Sequence, residues 1–145
     1  MLLPDINVWL GLAVSNHEHH PFAIRWLDAQ QKPASLGFCR ATQQGYLRLL
    51  SNEKMMRTYR LPPLTNAQVW ASYQALLADE RITFLPEPEG LEPIWQRFGS
   101  RDTASTKLWM DAFLSAFAVA GNHELVSFDS GFREFAGLKL QRLKS

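Results

Sequence analysis

Short apolar runs alternate along this chain with longer stretches in which apolar residues return at helical spacing. The short runs predict strands at residues 1–4, 34–39, 81–85, 124–128 and 138–140. The longer stretches predict helices at residues 8–13, 21–31, 42–50, 65–77, 91–98 and 108–120, with a helical turn at 131–136. Strands that alternate with helices are typical of βαβ units, in which helices cover both faces of a parallel sheet. The predicted fold class is therefore α/β, a three-layer α/β/α sandwich with a mostly parallel central sheet.

Length and composition are typical of one soluble globular domain, and residues 1–145 are all assigned to it. Of these residues 46% are apolar and 20% are charged, and neither an internal repeat nor a linker divides them. The net charge of +1 excludes a global polycation, so a nucleic-acid partner would have to be recognised by local charge. Cys39, the single cysteine, excludes an intrachain disulfide and fits a reducing compartment. We expect a cytoplasmic protein, since neither a signal peptide nor an apolar run of about 18 residues is found.

The first predicted strand runs directly into Asp5 and Asn7. Parallel α/β sheets bind ligands beyond the carboxyl ends of their strands, so an aspartate at this place is a candidate site residue. The alternative is that Asp5 only caps the following helix, because Asp and Asn are favoured N-cap residues. The first ten residues leave both interpretations open.

Two further aspartates stand out by their positions. Asp129 directly follows the fourth predicted strand, as Asp5 follows the first. Asp111 lies within the most apolar helix, between Met110 and Ala112. An ionised carboxylate on such a helix needs a partner, because burying it alone is very costly. The alternative is a narrow solvent-facing stripe, which the apolar neighbours Leu108 and Leu114 disfavour.

Three aspartates that converge on one place repel each other unless a cation lies between them. No basic residue is adjacent to Asp5 or Asp129 in the sequence. A hard divalent cation, Mg²⁺ or Mn²⁺, takes oxygen ligands and would satisfy all three carboxylates. Such a cation can polarise a phosphodiester and activate water for in-line attack.

Four segments of the chain resemble the signature segments of a PIN domain, with the nearest resemblance to the VapC-type toxins of bacterial toxin–antitoxin pairs. The segments are residues 5–8, 40–50, 108–114 and 126–132. They follow one another at family-like separations, and the resemblance extends from Met1 to about Leu140. A single Asp-x-Asn would be a weak signal, but four segments in order are fairly specific.

The resemblance implies an endoribonuclease dependent on Mg²⁺ or Mn²⁺ on a parallel α/β/α sandwich. It also implies a homodimer that a cognate VapB-type antitoxin holds inactive by covering the acidic pocket. By position, Asp5 and Asp111 would be the principal metal ligands and Asp129 a further acidic member. Asn7 and Ser127 would support them by hydrogen bonds.

The chain departs from the family pattern at Gln43, where an acidic residue usually follows Thr42. Glutamine keeps a carbonyl oxygen but removes one negative charge, so we expect weaker metal binding rather than loss of the fold. Gln43 is alternatively a residue that supports the metal ligands, or an engineered replacement of Glu. A PIN-like module that binds RNA or an antitoxin but cleaves poorly is therefore the alternative function.

The segment from Arg40 to Arg60 has a local charge of +4 and is the candidate RNA-binding region. Its arginines are Arg40, Arg48, Arg57 and Arg60. Tyr46 and Tyr59 lie between them and would be able to stack on unpaired bases. The alternative is an ordinary solvated surface.

Two other groups of residues lead to weaker predictions. The stretch from Asn16 to His20 matches no zinc signature, so its histidines are expected on the surface. Trp70 and Tyr73 are the candidate dimer patch, although aromatic residues at helical spacing are more often core.

Other enzyme classes are disfavoured. A haloacid-dehalogenase-type phosphatase also begins with a strand that ends in Asp, but it needs a second Asp where this chain has Asn7. Neither a dinucleotide-binding glycine fingerprint nor a P-loop occurs.

Overall fold

A central sheet of five strands organises the structure, a computed structural model that describes residues 1–144. The strands are β1 (Leu2–Pro4), β2 (Leu36–Phe38), β3 (Ile82–Phe84), β4 (Glu124–Ser127) and β5 (Lys139–Arg142). Their spatial order is β3-β2-β1-β4-β5, and every neighbouring pair is parallel. The predicted mostly parallel sheet is therefore confirmed, and within residues 1–144 it is parallel throughout.

Seven α-helices and one 3-10 helix connect the strands within the described residues. The helices are α1 (Ile6–Ala13), α2 (His20–Asp28), α3 (Arg40–Leu50), α4 (Glu53–Arg57), α5 (Asn66–Leu77), α6 (Leu91–Gly99) and α7 (Thr106–Gly121). The 3-10 helix is Ser130–Glu134. No helix among residues 1–144 is long and apolar enough to cross a membrane.

The helices form two layers, one on each face of the sheet. One apolar core contains side chains of α1 to α5, and the other contains side chains of α6, α7 and the 3-10 helix. Adjacent residues of β4 point into different cores, Leu125 into the second and Val126 into the first. This alternation follows from the pleat of a strand. The three-layer α/β/α fold class is confirmed.

The strand order reverses next to β1, which has β2 on one side and β4 on the other. Open α/β sheets bind ligands in the crevice at such a point, beyond the carboxyl ends of the strands. Asp5 follows β1 at this edge, and Asp129 follows β4 beyond Phe128. The topology therefore brings two residues that are far apart in the sequence to the same end of the sheet.

Aromatic rings at β2 hold the first core together. The ring of Trp9 stacks on that of Phe38 with centroids 3.7 Å apart, and Tyr46 and Tyr73 contact Phe38 edge-on. Both tyrosines are buried. The assignment of Tyr46 to an RNA-stacking surface was therefore wrong, and so was that of Tyr73 to a dimer patch. Trp70, the other residue of that patch, is exposed.

The histidines near α2 belong to the protein interior more than to its surface. His17 is buried, and its Nδ1 accepts a hydrogen bond from the backbone N–H of His19 at 3.0 Å. The ring of His17 stacks on Tyr59, and the ring of His19 stacks on Phe128. The prediction of solvent-exposed histidines was wrong, because distant aromatic residues cover His17 and His19.

The segment 51–63, for which the sequence pattern predicts neither a strand nor a helix, contains a short helix. Asn52 caps α4 by accepting a hydrogen bond from the backbone N–H of Met55 at 2.8 Å. Met56 packs into the first core. The helix is only five residues long, so it has too little apolar periodicity to be seen in the sequence.

Replacing Gly37 with alanine should destabilise the sheet. A Cβ atom at this position in β2 would lie 2.3 Å from the carbonyl oxygen of Thr83 in β3. Since both strands are held by their ladder, neither can withdraw cheaply. We expect Gly37→Ala to lower the free energy of unfolding by about 2–3 kcal/mol, as measured by urea denaturation.

Gly45→Ala is the matched control. A Cβ atom at this position in α3 would contact only the end of the Ile6 side chain, which can move aside. We expect this control to change the stability by less than about 1 kcal/mol. Equal losses in the two variants would contradict the role assigned to the strand contact.

Candidate active site

Asp5 is a buried carboxylate at the junction of β1 and α1. Its side chain is the N-cap of α1, and Oδ1 accepts hydrogen bonds from the backbone N–H groups of Asn7 at 3.0 Å and Val8 at 3.2 Å. Only 3% of the residue is exposed. Oδ1 therefore performs the capping function, while Oδ2 faces the end of β4.

Ser127 links Asp5 to the segment that carries Asp129. Its hydroxyl donates a hydrogen bond to Asp5 Oδ2 and accepts one from the backbone N–H of Asp129 at 2.9 Å. Ser127 is fully buried, so water does not compete for these bonds. One hydroxyl thus orients two of the three predicted site residues.

The carboxyl group of Asp5 holds its proton more tightly than an ordinary aspartate. Burial raises its pKa from 3.8 to about 6. The hydrogen bonds from Ser127 and from the two backbone N–H groups oppose this effect, and the negative charge of Asp129 adds to it. The remaining shift means that the bonds do not fully replace the lost hydration.

Asp111 and Asp129 line one cavity of about 330 Å³ between α7 and the segment that follows β4. Asp129 caps the 3-10 helix, since its Oδ1 accepts a hydrogen bond from the backbone N–H of Gly131 at 2.8 Å. Its Oδ2 lies 3.8 Å from Nζ of Lys107. The cavity is also lined by Arg101, Thr103, Ser105, Lys107, Leu108, Gly131, Glu134 and Phe135.

Asp111 is half-buried at the wall of this cavity. Desolvation raises the pKa of its carboxyl group, and the charges of Asp129 and Glu134 raise it further. Lys107, one helical turn earlier, lowers it. Asp111 therefore faces other acids across a cavity, which is not the environment of a solvent-facing stripe.

The donor atoms at this end of the sheet fit a hard divalent cation. Asp5, Asp111 and Asp129 offer only oxygen, the ligand that Mg²⁺ and Mn²⁺ prefer. Among residues 1–144, no three Asp, Glu, His or Cys side chains are arranged to hold a metal ion by themselves. Asp5 does not line the cavity that Asp111 and Asp129 share, so the convergence of all three carboxylates on one ion stays a prediction. Mg²⁺ keeps several waters and takes one or two carboxylates together with substrate phosphate, so two of these carboxylates would be enough to hold it.

Three charged residues of the cavity, Arg101, Lys107 and Glu134, were missed by sequence reasoning. Lys107 had a usable signal, since it lies four positions before Asp111 on the same helix and so on the same face. Glu134 had none, because the 3-10 helix that carries it is too short for a periodic pattern.

A family model described as PIN domain matches residues 2–138. The chain is a PIN-domain protein. It is 48% identical to Ribonuclease VapC41 of Mycobacterium tuberculosis over 144 residues, which cover 99% of each chain. The resemblance to VapC-type proteins is therefore confirmed.

Two solved structures share the fold of this PIN domain. One is the structure of VapBC2 from Rickettsia felis, bound to a DNA fragment from the VapBC2 promoter. It matches with a TM-score of 0.68 and 12% identity, over 99% of this chain and 98% of that chain. VapC20 of Mycobacterium tuberculosis, described as a sarcin–ricin loop cleaving toxin, matches with a TM-score of 0.62 and 16% identity over 96% and 99%. At these identities the likeness concerns the fold alone.

Asn7 and Gln43 lie in environments that differ from that of Ser127. Asn7 is exposed and bonds to Asp5 through its backbone N–H. Gln43 is buried, and its Oε1 accepts a hydrogen bond of 2.6 Å from Nη1 of Arg40. Gln43 does not line the described cavity that Asp111 and Asp129 share.

The four arginines predicted to bind RNA occupy different local environments. Arg40 bonds to Gln43 and lies over the ring of Phe84. Arg57 pairs with Glu53 at 3.1 Å, and Arg48 lines an apolar groove beside α3. Arg60 lies in a shallow pocket with Asn16 and Tyr59. None of the four lines the described acidic cavity, and their binding of RNA stays a prediction.

The raised pKa of Asp5 should make the metal-free protein less stable as the pH rises. The unfolded chain releases this proton near pH 3.8 and the folded chain only near pH 6, so unfolding becomes easier across that interval. Above about pH 6 the destabilisation levels off at about 3 kcal/mol. In EDTA, Asp5→Asn should therefore be more stable than the parent at about pH 7.5, by up to about 3 kcal/mol in urea denaturation.

At about pH 4.5 Asp5→Asn should be more stable than the parent by only about 1 kcal/mol. Asp102→Asn, a change of the same kind in an exposed loop residue, should show no such pH dependence. A difference between Asp5→Asn and the parent that is equal at both pH values would contradict the assignment.

Proposed function

We propose that this PIN-domain protein is a Mg²⁺- or Mn²⁺-dependent endoribonuclease, the toxin of a toxin–antitoxin pair. The observation that carries the proposal is the buried carboxylate of Asp5, which Ser127 joins to Asp129. A buried carboxylate without a basic partner is costly to maintain, and a bound cation would compensate it. The 48% identity to a protein named as a ribonuclease supports RNA as the substrate.

Asp111 and Asp129 would hold the cation in the cavity, and Asp5, which does not line the cavity, is proposed to join them when the cation binds. When bound, the cation supplies a Lewis acid that polarises the phosphodiester and favours attack by water. Ser127 keeps Oδ2 of Asp5 in a fixed orientation by its hydrogen bond. Lys107 limits the repulsion between Asp111 and Asp129 until the cation arrives.

A binding module with weak cleavage is the second candidate function. The observation that favours it is the environment of Gln43, whose amide oxygen is already bonded to Arg40. Gln43 is also uncharged where the family pattern implies an acidic residue, so the chain has one negative charge fewer at this position. RNA or an antitoxin would still bind, but a second cation would be held poorly.

The proposed partners are RNA and a cognate VapB-type antitoxin. The similarity in fold to VapBC2 supports the antitoxin. The protein is proposed to act in the cytoplasm, where both partners would be encountered.

A homodimer completes the proposal. An apolar groove of about 410 Å³ lies between α1, α3 and α7, and its apolar lining includes Ile6, Leu49, Met110 and Leu114. Arg48 and Ser51 line both this groove and the pocket that contains Trp70, so the two depressions adjoin. We assign this partly apolar surface to contact with a second copy of the chain.

Cleavage of RNA should depend on the cation and on the acidic side chains. We expect a structured RNA to be cut in Mg²⁺ or Mn²⁺ and left intact in EDTA, as measured by gel analysis of end-labelled RNA. Asp5→Asn and Asp111→Asn should each lower the cleavage rate by more than about 100-fold, because each removes a carboxylate from the proposed cation site. Glu89→Gln, an acidic residue on an exposed loop, should leave the rate unchanged.

Mn²⁺ should also raise the stability of the parent in urea denaturation, and should do so less for Asp111→Asn. Cleavage that persists in EDTA would contradict the metal dependence. Vigorous cleavage that Asp5→Asn abolishes would exclude the weakly cleaving module.

The homodimer should depend on Met110, which is 50% exposed at the edge of the groove. A charge at this position would be buried without a partner between two copies, so Met110→Glu should raise the dissociation constant of the dimer by at least about 10-fold. Analytical ultracentrifugation measures the change. Gln96→Glu, at an exposed position of α6, is the control. A dimer equally stable in both variants would place the interface elsewhere.

A further inference from the structure

Two cations lie at the acidic cavity, and neither belongs to the basic region predicted from the sequence. Arg101 comes from the loop between α6 and α7, and Lys107 from the first turn of α7. Both line the same cavity as Asp111 and Asp129. Their side chains are 42% and 79% exposed, so a ligand entering the cavity can reach them.

The guanidinium of Arg101 is held in place from several sides. Its Nη2 lies 2.6 Å from Oε1 of Glu134, and its Nε donates a hydrogen bond of 3.2 Å to the carbonyl oxygen of Phe98. The group also lies 5.6 Å from the ring centroid of Phe135. Within residues 1–144 Nη1 of Arg101 has no hydrogen-bond partner. The N–H groups of this nitrogen are therefore available to a ligand, while the rest of the guanidinium group is held in place.

Lys107 is positioned differently. It is an exposed side chain whose ammonium group lies 3.8 Å from Asp129 Oδ2, a loose contact for an ion pair. A cation between Asp111 and Asp129 would compete for the same carboxylates. Because the contact with Asp129 is loose, a phosphate of the substrate can also draw Lys107 away when no cation is bound.

An acidic cavity repels the RNA backbone, and a divalent cation compensates only the phosphate that it contacts. The phosphates on either side of the reacting bond still carry their charges close to carboxylates. They need positive groups next to the cavity, and arginine is well suited because its planar fork matches phosphate oxygens. Arg101 and Lys107 are the two basic residues that line it.

We propose that Arg101 and Lys107 bind the RNA phosphates that flank the reacting bond, and that they position the substrate over Asp111 and Asp129. The inference rests on the proposed function, because it takes RNA as the substrate. In the absence of RNA, Glu134 pairs with Arg101 and keeps the guanidinium group in position. When RNA binds, a phosphate replaces Glu134 as the partner of Arg101.

Binding of RNA in EDTA tests this proposal without cleavage. Fluorescence anisotropy of a labelled single-stranded RNA should show about 10-fold weaker binding for the double variant Arg101→Ala/Lys107→Ala at low salt. The slope of log K against log salt should fall by about 1.4, since each lost phosphate contact on a single strand contributes about 0.7. Arg97→Ala/Lys139→Ala removes the same charge from exposed positions outside this cavity and should bind almost as the parent does.

Glu134→Gln distinguishes a phosphate ligand from a structural ion pair. If Arg101 binds phosphate, this variant releases the arginine and binds RNA at least as tightly as the parent. If the pair only holds the loop, Glu134→Gln weakens binding as much as Arg101→Ala does, and the proposal is overturned. If Arg101→Ala fails to fold, Lys107→Ala alone can be used for the binding measurement. The Lys107 side chain is largely exposed, so this variant should fold.

Cleavage kinetics separate this inference from the proposed function. In Mg²⁺ the double variant should raise KM more than it lowers kcat, because it loses contacts that position the substrate. If the double variant cleaves RNA with an unchanged KM and binds RNA with unchanged affinity, the phosphate assignment is overturned and the proposed nuclease function is not. RNA binding that needs Arg101 and Lys107 in a protein that never cleaves would contradict the nuclease but support the phosphate assignment.

Discussion

The candidate site depends on one carboxylate that the fold takes out of water. Asp5 accepts two backbone hydrogen bonds at the start of α1 and a third from Ser127 at the end of β4. These bonds connect the central strand to its neighbour, yet the pKa of Asp5 remains about two units above its usual value. The folded chain thus keeps an electrostatic cost at this position. A protein under selection for stability alone would lose such a group easily.

The other carboxylates are held at decreasing depth. Asp111 is half-buried on α7, and Asp129 lies in the same cavity beside Lys107. This gradation matters because the buried group is fixed in position, while the outer groups can adapt to a ligand. The nearby lysine and arginine keep the cavity from being a purely negative surface, which RNA could not approach.

Parts of the site were visible in the sequence because they follow from local rules. Asp5 and Asp129 come at or just after strand ends, and Asp111 interrupts an apolar helix, so each was recognisable from a few neighbouring residues. The bond between Ser127 and Asp5 spans 122 positions, and no local pattern gives its geometry. Arg101 and Glu134 are likewise brought together by the packing of the α6–α7 loop against the 3-10 helix.

By itself the sequence determined the order of strands and helices, the parallel α/β class and the aspartates at the strand ends. These features follow from hydrophobic periodicity and from the identity of residues at element boundaries. Only the tertiary structure decided that Tyr46, Tyr73 and His17 are buried and which basic residues reach the acidic cavity. The physical reason is that periodicity tells which side of its own element a residue occupies. What lies against that side depends on how distant elements pack.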